Sequence, residues 1–196
     1  MLLPNQLTIL RIILTPVFLY FFLSDDILFK QIGVLVFIIA ALTDWYDGWL
    51  ARKFNYITDW GKFMDPLADK ILTSAAFFAF VYLGILELWM VIVIVIRDFL
   101  ITILRIYSEY NEKPIVTSKL AKWKTFIQMT FLYYLITIYA LLTVEFFTVN
   151  YAYLFDLLMN RQLIYFSMLL VTIITIWSGI NYLVRNKDSL NNNGNN

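Results

Sequence analysis

The sequence predicts an all-α integral membrane protein with six transmembrane helices. Of its 196 residues, 61% are hydrophobic and only 15% are charged, far from the balance of a soluble domain. Two stretches, 125–144 and 162–184, carry no charge and are each about as long as a bilayer core requires. Apolar runs between polar breaks recur along the chain and place helices near 6–24, 31–53, 62–83, 88–109, 122–148 and 162–185.

Taken in order, the first run begins at Pro4 and Asn5, a helix start. It has no basic leader and no small-residue cleavage site, so it is read as retained. Asn5, Thr8 and Arg11 recur every three residues on one side of this span. They serve either a site or interfacial anchoring, with Arg11 snorkelling to the headgroups.

The second and third runs meet across residues 43–70, which hold five of the fourteen acidic residues. Asp44 and Asp47 stand three apart and Asp65 and Asp69 four apart, so each pair shares a helix face. Asp59 falls between the pairs as a solvated loop residue or helix cap. Four carboxylates near a span end repel one another unless cations neutralise them, and an all-oxygen donor set favours magnesium or manganese over zinc. Such acids also mark ion pathways, which keeps a metal transporter open as a competing class. Gly48 permits close backbone approach and Arg52 offers a planar fork for phosphate oxygens, and both favour phosphoryl transfer.

The fourth run carries Arg97, Asp98 and Arg105. The arginines lie on one face with Ile101 and could share a cavity, while Asp98 could form an internal salt bridge. The basic segment 118–124 begins the fifth run, and Lys124 reads as a headgroup contact. The sixth run is clean, and residues 1–186 form a single domain followed by a low-complexity, disordered tail at 187–196. Basic residues collect in the loops on the terminal side, placing both termini and the carboxylates in the cytoplasm. A net charge of +1 argues against a nucleic-acid partner. The chain has no cysteine and no histidine, which excludes thiol and phosphohistidine chemistry and leaves carboxylates for proton transfer.

The pattern Asp44-x2-Asp47-Gly48-x2-Ala51-Arg52-x8-Gly61-x3-Asp65-x3-Asp69 resembles the signature of the CDP-alcohol phosphatidyltransferases at every position. PNQLTILRI, GKFMDPLADK, RDFLITILR and SKLAKWKT resemble the bacterial branch whose acceptor is glycerol 3-phosphate, and the similarity covers roughly residues 4–130. The resemblance implies the CDP-alcohol phosphotransferase fold, a homodimer in the bacterial inner membrane, and a site open to the cytoplasm. It implies transfer of a phosphatidyl group from CDP-diacylglycerol to glycerol 3-phosphate by direct displacement, giving phosphatidylglycerophosphate and CMP. Inositol phosphate or phosphatidylglycerol is the alternative acceptor within the family. Also implied are two magnesium or manganese ions held by Asp44, Asp47, Asp65 and Asp69, with Asp69 as the base. Thr8, Gly48, Arg52 and Gly61 would seat the CDP-lipid. Arg97, Arg105 and Lys119 would receive the acceptor phosphate.

Overall fold

The computed structural model describes residues 3–54, 59–110 and 119–186, and all their regular structure is helical. Six long helices are present: α1 (Leu3–Phe22), α2 (Ile27–Phe54), α3 (Asp59–Tyr82), α4 (Leu88–Tyr110), α5 (Lys119–Leu142) and α8 (Arg161–Arg185). Two short ones, α6 (Glu145–Asn150) and α7 (Ala152–Leu158), lie between α5 and α8. The disordered tail expected at 187–196 lies outside the described residues.

Two boundaries differ from expectation by four residues or more. The second helix starts at Ile27, four residues before the expected 31, because Asp26 caps it. Its carboxylate accepts the amides of Leu28 at 2.7 Å and Phe29 at 3.4 Å. The fifth helix stops at Leu142 rather than 148. The Thr143 hydroxyl donates to the Ala140 carbonyl at 2.7 Å, while the Thr143 and Val144 amides close tight turns onto Ala140 and Leu141. This local bonding competes with helix continuation, and Glu145 then opens α6. Asn160 starts α8 by accepting the amides of Gln162 and Leu163.

The α3–α4 link is a Schellman turn. Gly84, at φ 71°, occupies the left-handed position, with its amide on Val81 and that of Ile85 on Phe80. Helix α1 packs on α2 and α3, α3 on α4, and α8 on both α4 and α5. An aromatic cluster fills the end of the bundle near these tight links. Phe22 lies 5.0 Å from Phe18, 5.5 Å from Phe80 and 4.8 Å from Tyr139 between ring centroids, joining α1, α3 and α5.

Gly33 sits beside this cluster, where a β-carbon would come 2.6 Å from the Phe22 nitrogen and 2.7 Å from its α-carbon. Backbone cannot yield as a side chain can. Gly33→Leu is therefore expected to destabilise the bundle by at least about 1–3 kcal/mol, the usual cost of overpacking. Thermal unfolding of the purified variant in detergent checks this, and an unchanged midpoint would refute the close approach.

Among the described residues, three stretches are long and apolar enough to cross a membrane: Ile27–Asp44, Leu120–Leu142 and Ala152–Arg185. Much of the outer surface is apolar, with Ile13, Leu35, Ile96, Ile103, Leu170 and Trp177 all exposed. A surface of that kind suits lipid rather than water.

Candidate active site

The helices run up and down through short links, so the start of α1, the end of α2 and the start of α3 come together at the end of the bundle opposite the aromatic cluster. There the polar side chains pair closely. Arg11, fully buried, holds Asp44 at 2.8 Å. Thr8, also buried, donates its hydroxyl to Asp65. Lys70 reaches Asp69 at 3.4 Å. Asp44 in turn lies within Coulombic range of both Asp65 and Asp69. The snorkelling alternative for Arg11 is overturned, since a side chain sealed against Asp44 anchors nothing at the headgroups.

A cavity of about 820 Å³ opens beside this group. Gly61, Asp65, Asp69 and Lys70 of α3 form part of its wall, and Arg97, Asp98, Ile101 and Arg105 of α4 face the same space. Arg97 is anchored, with one guanidinium nitrogen on Asp98 at 3.1 Å and the other on Ser178 of α8 at 2.9 Å. Gly179 makes room for its stem, since a β-carbon there would approach the Arg97 Cγ at 3.2 Å. Arg105, two turns on, is exposed.

Lys124 corrects the headgroup reading. It is 1% exposed and bonded to Asp98, whose other oxygen accepts from Gln128 at 3.1 Å. The spacing of Lys124 and Gln128, four residues apart, puts both on one face of α5. Sequence reasoning also missed Lys70. Gly48 and Arg52 lie on α2 beyond Asp44, and Lys119 is the first residue of α5. The side chains of Asp47, Arg52 and Lys119 lie outside the described set.

The donors suit a hard divalent ion. They are all carboxylate oxygens, and the crowded acids currently draw on Arg11, Thr8 and Lys70 for compensation. Among the described residues no three acids form a ready-made cage.

The family model for CDP-alcohol phosphatidyltransferase matches residues 1–177. The chain belongs to this family. Relatives named CDP-diacylglycerol--glycerol-3-phosphate 3-phosphatidyltransferase are similar to it. The Bacillus subtilis (strain 168) protein is 40% identical over 139 residues, covering 65% of this chain and 72% of the relative. One from Rickettsia typhi is 38% identical over 127 residues, covering 65% and 71%. The match to the Haemophilus influenzae protein runs nearly end to end, at 35% identity over 195 residues, 97% of this chain and 96% of the relative. Membership as a CDP-alcohol phosphatidyltransferase accounts for an apolar chain, helical throughout its described regular structure, with Asp44, Asp65 and Asp69 brought to one end, and carries a general dependence on divalent metal.

Proposed function

We propose that this chain is a CDP-diacylglycerol–glycerol-3-phosphate 3-phosphatidyltransferase of phospholipid biosynthesis, giving phosphatidylglycerophosphate and CMP, as the names of its relatives state for them. The observation that carries this is a cavity whose walls hold Asp65 and Asp69 beside Arg97 and Arg105. A diphosphate-bearing donor and a phosphate-bearing acceptor need such adjoining acidic and basic surfaces.

Within that reading, Thr8, Gly48, Arg52 and Gly61 seat the CDP-lipid. Two divalent ions, magnesium or manganese, held by Asp44, Asp47, Asp65 and Asp69, would supply neutralisation of the diphosphate and of the charge leaving with CMP. Asp69 takes the proton from the attacking glycerol hydroxyl as that oxygen bonds to the phosphorus bearing diacylglycerol. Arg97, Arg105 and Lys119 hold the acceptor phosphate. We assign six spans, a single domain over residues 1–186 with a disordered tail, and a homodimer in the bacterial inner membrane with the site facing the cytoplasm. The family resemblance and the basic loops support these assignments.

Membranes given CDP-diacylglycerol, magnesium and one acceptor at a time test the reading. CMP release is expected with glycerol 3-phosphate and not with inositol phosphate or phosphatidylglycerol. Release with another acceptor only would reassign the substrate, and metal flux without CMP would mark a transporter. In the same assay Arg105→Ala is expected to raise the KM for glycerol 3-phosphate about tenfold or more, the worth of a charged hydrogen bond. The KM for CDP-diacylglycerol should scarcely move. Equal effects on both would make Arg105 a structural residue.

A further inference from the structure

Asp98 is a carboxylate set among the basic residues of the cavity wall. It lines the same space as Lys70, Arg97 and Arg105 and is only 4% exposed. Left bare, it would repel any phosphate entering there. Its charge is instead taken up on all sides. Lys124 and Gln128 reach it from α5, Arg97 holds it at 3.1 Å from its own helix, and the Lys70 ammonium approaches at 3.9 Å from α3.

Three cations thus gather round Asp98, and with Asp69 as a second partner of Lys70 they still leave one positive charge in surplus. Lys124 is sealed at 1% exposure, and the side chains of Lys70 and Arg97 are 16% and 13% exposed. Uncompensated charge at such a depth is costly, so a bundle that keeps it has a use for it. A phosphate monoester dianion supplies negative charge there, and the exposed Arg105 on the same wall offers a second positive charge to meet it. Lys70 also touches Asp69 at 3.4 Å, so an anion beside Lys70 would lie next to the proposed base.

We infer that the Asp98-centred cluster is the floor of the acceptor-phosphate site, with Lys70 as a phosphate-binding residue. Asp98 is a positioning residue that fixes Lys70 and Arg97 at the cavity wall. Lys124 balances Asp98 from behind, and Gln128 orients the carboxylate. This inference rests on the proposed transferase function and adds to it residues on α3 and α5.

The test is steady-state kinetics on the purified full chain with both substrates varied. Lys70→Met is expected to raise the KM for glycerol 3-phosphate about ten- to a hundredfold, the loss of one charge-assisted contact. The KM for CDP-diacylglycerol should stay within about twofold of the parent, and Lys70→Arg should recover most of the loss. The paired change Asp98→Asn/Lys124→Met removes equal and opposite buried charges. It is expected to raise the same KM while leaving thermal stability near that of the parent. If both KM values rise together in Lys70→Met, or neither moves, the inference is overturned, whether or not the paired variant folds. A parent chain that forms no phosphatidylglycerophosphate would remove the underlying function, a separate failure visible before any variant is made.

Discussion

Asp65→Asn is expected to lower turnover by about two to three decades, the loss that follows removal of one well-placed electrostatic group. The substitution preserves shape, and an asparagine oxygen can still accept the Thr8 hydroxyl that Asp65 receives. The helix packing should therefore survive. What disappears is one negative charge from a group in which Asp44, Asp65 and Asp69 lie within Coulombic range, and with it a proposed ligand for the divalent ions. Two companion variants separate charge from contact. Thr8→Val removes the hydrogen bond and keeps the carboxylate, and should cost far less. Asp59→Asn lies outside the signature and should turn over almost as the parent does. Initial rates of CMP release at saturating substrates decide the matter, and normal turnover by folded Asp65→Asn would end the assignment of this carboxylate to the reaction.

The second large effect is on folding. Asp98→Asn is expected to destabilise the chain by about 3–5 kcal/mol, because it strands a buried ammonium without a counter-charge. Lys124 has no route to water at 1% exposure, and its other charged neighbours, Arg97 and Lys70, repel it. Adding Lys124→Met to the same chain should restore most of the loss. Thermal unfolding of the two proteins in one detergent gives the comparison. Equal midpoints for the single and double variants would mean that Asp98 and Lys124 are not coupled.

The sequence made the acids and the apolar helices legible because both are statements about composition and spacing. Asp65 and Asp69 share a face wherever their helix points, and the long apolar runs persist whatever their neighbours. Rotation about the helix axis is another matter. Lys124 could equally have faced headgroups or the bundle interior, and only the packing of α5 against its neighbours settles which. Gln128 was overlooked for the same reason, being one polar side chain in a stretch judged by its lack of charge. Arg11 has two roles open to it from spacing alone, and Asp44 on the next helix, at 2.8 Å, decides between them. The end of α5 was misplaced because residues 122–148 read as a continuous run, whereas the break depends on the Thr143 side chain turning back to its own helix.

The aromatic cluster at one end and the charged cavity at the other make the bundle a set of levers with a common fulcrum. Phe18, Phe22, Phe80 and Tyr139 clamp three helices where the links are shortest, so any rotation about that end is amplified toward the far tips. For a helix of about 20 residues, roughly 30 Å long, a tilt of about 3° at the pivot carries the tip about 1.5 Å. That travel is enough to break a side-chain contact at the far end without unpacking the clamp. By the same leverage, a misfit at Gly33 beside the pivot would be magnified at Asp44, about three turns along the helix, so a change far from the chemistry can still misalign it.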